Sequence, residues 1–126
     1  MAEVLGIGGI FFKSPDPKKL CQWYSQWLGF KIDSESGFTF VPFMPNTMPP
    51  NGYTVWSAFD SRTTYFSPSD NEFMFNPVVD NLQEALSQVR AGGAQVIGDI
   101  EKSEYSQFGW FMDPDGNKVE LWQPPE

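Results

Sequence analysis

Apolar side chains along this chain fall into two spacings, and an element ends where one spacing gives way to the other. Leu20, Trp23, Tyr24, Trp27 and Leu28 recur at i, i+3, i+4, i+7 and i+8, the stripe of one helix face. Asp16 can cap that helix, Pro17 suits its first position, and Gly29 stops it. Leu82, Ala85, Leu86 and Val89 form a second stripe, with Asn81 and Glu84 at capping-box spacing before it and Gly92-Gly93 after it. The other apolar runs are short and bounded by turn residues, which predicts strands over Val4 to Phe12, Phe30 to Asp33, Phe38 to Val41, Tyr53 to Phe59, Glu72 to Val79, Ala94 to Ile100, Gln107 to Met112 and Lys118 to Trp122. The order is strand, helix, three strands, and then the same again.

The residues themselves support a duplication. Pro50-Asn51-Gly52-Tyr53-Thr54-Val55-Trp56 precedes Pro114-Asp115-Gly116-Asn117-Lys118-Val119-Glu120 by about 64 positions, with Pro, Gly and Val matching, and the two helix caps Asp16 and Asn81 stand nearly the same distance apart. With 126 residues the expectation is one α+β domain: a first module over 1–60, a polar, turn-rich connector over 61–71, and a second module over 72–126.

Asp113-Pro114-Asp115-Gly116 is a turn in which Pro114 presets its own φ and Gly116 accepts a positive one. In the strand that follows, side chains alternate between faces, so Glu120 shares a face with Lys118 and Trp122 while Val119 and Leu121 share the other. If Val119 and Leu121 face the core, Glu120 faces a different space. A carboxylate among aromatic rings would have its pKa raised by desolvation, which suits a general base.

Composition narrows the chemistry. Aromatics make up 17% of the chain, with 12 Phe and 5 Trp, enough to fill a core and still line a pocket. A net charge of −8 argues against nucleic acid and anionic membrane surfaces and favours a neutral or cationic ligand. No histidine is present, which removes His triads, His bases and His metal ligands together. The single Cys21 forms no internal disulfide, no apolar run nears the roughly 20 residues of a membrane span, and the start lacks a signal-peptide pattern, so a cytoplasmic protein is expected.

The repeat, the Asp-Pro-Asp-Gly-Asn-Lys-Val-Glu-Leu-Trp stretch and the Ser-Pro-Asp-Pro…Trp-Tyr-Ser-Gln-Trp-Leu-Gly-Phe stretch together resemble the vicinal oxygen chelate superfamily, which includes glyoxalase, bleomycin-resistance proteins and extradiol dioxygenases. The resemblance implies two βαβββ modules curled into a mixed sheet around a cup-shaped cavity, and in many members a homodimer. It also implies four positions at which metal-using members place ligands, here Gly9, Trp56, Met74 and Glu120. Only Glu120 is a usual ligand, and about three protein ligands are needed to hold a catalytic ion, so no metal cofactor is expected.

The candidate ligand-binding residues are therefore Trp56, Met74, Asn76, Trp110, Glu120 and Trp122, with Glu120 the candidate catalytic group. Indoles around a lone acid would box a planar or cationic group. Tyr65, Phe66 and Tyr105 are loop aromatics placed to cover the cup. Trp23, Tyr24 and Trp27 read instead as helix packing, because their spacing matches a buried face. The expected function is binding of an aromatic or cationic small molecule; a lyase, isomerase or dioxygenase-type enzyme using Glu120 as base or remnant ligand is the alternative.

Overall fold

Asp16 accepts a hydrogen bond from the Lys19 N–H at 3.2 Å, which starts helix α1 (Pro17–Leu28); Gly29, at φ 70°, ends it in the left-handed conformation that a Cβ disfavours. Asn81 caps α2 (Leu82–Ala91) by accepting from the Glu84 N–H at 3.0 Å. Both helices thus form between the residues that predict them. This computed structural model describes residues 1–32, 39–104 and 106–126.

Three strands, β1 (Gln95–Lys102), β2 (Gln107–Met112) and β3 (Lys118–Gln123), pair antiparallel in that order. The β2–β3 turn closes through the Gly116 N–H to the Asp113 carbonyl at 3.0 Å, with Gly116 at φ 78°. Asp113 Oδ1 also accepts from the N–H groups of Asp115 and Asn117, each at 2.9 Å. Beside β3, Phe75 and Val78 make parallel bridges to Val119 and Trp122, so the predicted strand over 72–79 is present as two bridges. Pro77, between them, has no N–H to give a ladder.

Both helices pack on one face of this sheet. Leu20, Tyr24, Leu82, Leu86, Val89, Phe111, Val119 and Leu121 are buried together there. The alternation along β3 is as the sequence predicts, with Val119 and Leu121 in this core. Gly109 permits the close approach of α2: a Cβ there would lie 2.7 Å from Leu86 Cδ1. The Trp23 indole packs on Phe111 and donates to the Gly92 carbonyl at 2.9 Å, the packing role its spacing indicates.

The fold is a small α+β unit of two helices and a three-stranded sheet. Among the described residues Val4 to Phe12 and Tyr53 to Phe59 join no ladder, a departure from the predicted strands. Their apolar side chains lie at the surface, with Phe11 95% and Trp56 78% exposed. A segment becomes a strand only beside a partner, and Gly6, Gly8 and Gly9 offer no side chain to pack against one. The strands predicted over 30–33 and 38–41 fall partly outside the described residues, and Tyr105 lies outside them as well.

Candidate functional site

The face of the sheet away from the helices carries Lys118, Glu120 and Trp122 of β3 beside Met112, Trp110 and Phe108 of β2, paired in that order. Glu120 is 8% exposed, a buried acid without a salt bridge among the described residues. It accepts three hydrogen bonds instead. Asn76, on the segment bridged to β3, donates to Oε1 at 2.6 Å. The Trp110 indole N–H donates to Oε2 at 2.9 Å, and the Tyr65 hydroxyl donates to the same oxygen. A carboxylate has about four lone-pair positions, so one remains.

Tyr65 comes from the connector and is laid over the acid. Its ring stands edge-on to Trp110 at 6.4 Å and stacks on Phe59 at 5.7 Å. The buried Lys118 ammonium lies 5.1 Å from the centre of the Tyr65 ring and donates to the Tyr65 carbonyl at 2.7 Å. Desolvation, then the hydrogen bond and negative charge of Glu120, push the Tyr65 hydroxyl up to about 12, so it stays a donor at neutral pH.

The structure brings Asn76, Trp110 and Glu120 into direct contact. Trp122 is buried on the same face, two residues along, with its indole stacked on Phe108 and donating to Ser106 Oγ at 3.3 Å. Met74 is half-buried, one residue before the Phe75–Val119 bridge. Trp56 and Gly9 are exposed and lie in segments without strand pairing, so two of the four corner positions are not gathered around Glu120. Lys118 is the participant that the residue types alone did not single out; its shared face with Glu120 was the available signal.

Among the described residues no group of three His, Cys, Asp or Glu side chains converges. The one acid at a corner position has its oxygens occupied by Asn76, Trp110 and Tyr65. A cavity of about 310 Å³ opens between α2 and strands β1 and β2, lined by Leu86, Arg90, Val96, Asp99 and Trp110 among others; Glu120 does not line it. Cys21 is a half-buried free thiol whose pKa burial raises, so it is no nucleophile in waiting. No helix among the described residues is long and apolar enough to cross a membrane.

Solved structures share this architecture over the whole chain. The integron cassette protein VCH_CASS1, from the mobile metagenome of V. cholerae, superposes with a TM-score of 0.62 at 16% identity, covering 98% of each chain. TnmS3, an antibiotic binding protein from Streptomyces sp. CB03234, superposes with a TM-score of 0.56 at 18% identity, covering 98% of this chain and 99% of its own. No curated protein matches in sequence. The glyoxalase-like domain model matches residues 9–122, nearly the full length over which the turn, the caps and the buried acid are laid out, and the chain belongs to that family.

Proposed function

We propose that this chain is a small-molecule-binding protein of the glyoxalase/bleomycin-resistance type, holding an aromatic compound against Trp110 and Glu120 without a bound metal. The observation that carries the reading is the buried Glu120 carboxylate, held by Asn76, Trp110 and Tyr65, with the Phe59 ring stacked on Tyr65 and Trp122 two residues along the same strand face. A few convergent polar groups in aromatic walls are what a small-molecule site is made of. The likeness to TnmS3, described as an antibiotic binding protein, is in keeping with it. Lys118 beside the same rings favours a neutral or anionic aromatic compound over a cation. The corner residues Gly9, Trp56 and Met74 support a metal-free site.

The partner that suits the remaining surface is a second copy of the chain. Val4, Leu5, Phe11, Val55 and Trp56 are each at least 67% exposed, more apolar surface than a lone domain keeps bare. The homodimer would also supply the pairing that the first-half segments lack, and a cytoplasmic location suits a protein with one unpaired thiol. Sedimentation at micromolar concentration checks the dimer; a monomer there removes it.

Binding is tested by titrating a panel of aromatic antibiotics and simple phenols against tryptophan fluorescence. Saturable quenching, weakened in Trp110→Phe, is expected. Quenching by no compound, or quenching indifferent to Trp110, overturns the reading.

A further inference from the structure

Tyr65 is an odd residue to find on a buried acid. It is 40% exposed and sits in a polar stretch, yet its ring and hydroxyl make the most specific set of contacts on that face of the sheet. The stretch around it holds mostly to itself. The Thr63 N–H donates to the Asp60 carbonyl and the Ser67 N–H to the Thr64 carbonyl, each at 3.0 Å, and Arg62 pairs with Asp60 at 3.3 Å. Firm attachment begins only at Ser69, whose hydroxyl donates to the Gly116 carbonyl at 2.7 Å, and at Asn71, which donates to Asn117 Oδ1 at 2.6 Å. Among the described residues, the hydrogen bonds that tie residues 60–67 to the sheet run through Tyr65, its hydroxyl to Glu120 and its carbonyl from Lys118; the Phe66 carbonyl accepts from the neighbouring Ser69 N–H at 3.0 Å.

We propose that Tyr65 is a placeholder in the ligand site, and that the protein takes a planar phenol by exchanging it for the Tyr65 side chain while the 60–67 strap lifts away. This rests on the reading of the Glu120 face as a binding site and names what enters it. Each contact of Tyr65 specifies one property of the entrant. Glu120 Oε2 already takes the Trp110 N–H, so the group that arrives must be a second, slender donor, which a hydroxyl is. The Lys118 ammonium, 5.1 Å from the ring centre, rewards an electron-rich ring and repels a cationic one. Trp110, edge-on at 6.4 Å, sets a flat slot. A phenol meets all three conditions; a bare hydrocarbon ring loses the first, and an arylammonium ion fails the second.

Exchange is feasible because the ligand remakes the hydroxyl bond to Glu120 and the ring contacts with Trp110 and Lys118, leaving only the Lys118 bond to the Tyr65 carbonyl to be replaced by water. The strap pays only its own ordering, and weakly attached surface segments are those that open locally. A site blocked by its own chain binds with an affinity lowered by the fraction of time it is open, so removing the block raises the apparent affinity by the inverse of that fraction.

The test uses the whole chain as Tyr65→Ala, with p-cresol (the tyrosine side chain itself) and toluene as probes. Binding is read by tryptophan fluorescence and by the indole N–H resonance of Trp110. We expect p-cresol to bind Tyr65→Ala at least about tenfold more tightly than wild type, the signature of a site open a tenth of the time or less. Toluene should bind that variant at least about tenfold more weakly than p-cresol, since a buried acceptor is then left short of a donor. Equal p-cresol affinity in wild type and Tyr65→Ala, or equal affinity for the two probes, overturns the proposal. Should Tyr65→Ala fail to fold by circular dichroism, Tyr65→Phe decides: it keeps the ring but not the hydroxyl anchor, so p-cresol must bind it more tightly than wild type, and unchanged affinity is a refutation. If wild type is quenched by larger aromatic compounds while p-cresol ignores the Tyr65 variants, the binding reading stands and the placeholder falls. If nothing binds any form of the chain, both fall.

Discussion

Tyr24 on α1 donates its hydroxyl to Oδ2 of Asp113 at 2.8 Å, across 89 residues of sequence, so the first helix is fastened to the carboxylate that shapes the β2–β3 turn. Asn117 Nδ2 donates to the same oxygen at 2.8 Å, while Oδ1 takes the backbone N–H groups of Asp115 and Asn117. Burial first, then the Asp113 charge, push the Tyr24 hydroxyl far above its ordinary value, so it remains a donor at every working pH. Tyr24→Phe keeps the ring against Phe30 and Trp23 and removes one bond to a charged acceptor. The expected loss is about 1.5 kcal/mol, the low end for such a bond because three other donors still serve Asp113. A denaturant midpoint unchanged in this variant would show that the helix is held by packing alone.

Glu120 makes a sharper comparison. Glu120→Leu leaves the buried Trp110 N–H, and with it Asn76 and Tyr65, without an acceptor, at a cost of about 1–3 kcal/mol for the indole alone. Glu120→Gln can keep its oxygen toward Trp110 and Tyr65 and set its NH₂ toward Asn76, provided the Asn76 amide turns over to present oxygen. The amide variant should therefore lose less than half of what the leucine variant loses in thermal unfolding. Adding Asn76→Leu should narrow that advantage, because the Gln NH₂ then loses its partner while its oxygen still serves Trp110 and Tyr65. Equal losses for Gln and Leu would mean that the three bonds contribute nothing to stability.

The helices and the last hairpin were readable because each is specified by neighbours in sequence. Asp16, Gly29, Asn81 and the Asp113–Gly116 turn act within five residues, and alternation along Lys118–Gln123 sorts side chains to faces before any partner is known. The Glu120 cluster was readable in part. Alternation put Asn76, Trp110 and Glu120 on candidate surfaces, and Tyr65 stood out as an aromatic in a polar run. That its hydroxyl meets Glu120 is a contact over 55 residues, which no local spacing encodes. The first half failed for a different reason. Tyr53, Val55 and Phe59 have the alternation of a strand, but alternation reports which faces are apolar and not whether an edge is available to pair with.

Tyr65 also gives the site a response to alkali. Its ordinary value of 10.0 is raised to about 12 in the folded chain, by desolvation first and by Glu120 next. A raised folded-state value means that the stability contributed by the protonated hydroxyl is complete below pH 10 and is lost as pH rises through 12. The stability difference between wild type and Tyr65→Phe should therefore be constant below pH 10 and shrink above it. In an ultraviolet titration, the ionisation near pH 12 should vanish in Tyr65→Phe. A phenol titrating near pH 10 in wild type at this position would show that Tyr65 spends its time off the acid.

The contact between the two helices rests on a glycine whose need is steric. Gly92 follows α2 at φ −78°, a conformation open to any residue, yet a Cβ there would lie 2.7–2.8 Å from three atoms of the Trp27 indole. The ring cannot bend out of the way, and its backbone is held by the Gln88 side chain donating to the Trp27 carbonyl at 2.7 Å. Gly92→Ala should cost about 1–3 kcal/mol, the range for overpacking. Gly93, the next residue, poses the opposite case: nothing lies within 4 Å of its Cβ position, but its φ is 90°. Gly93→Ala should therefore cost stability through backbone strain of about 1–2 kcal/mol, whatever stands nearby. A Trp27→Leu background separates the two mechanisms. It should relieve much of the Gly92→Ala penalty and none of the Gly93→Ala penalty, because only the former is a collision with the indole. If both penalties persist unchanged with Leu at position 27, the close approach of the two helices at Gly92 is not what makes glycine necessary there.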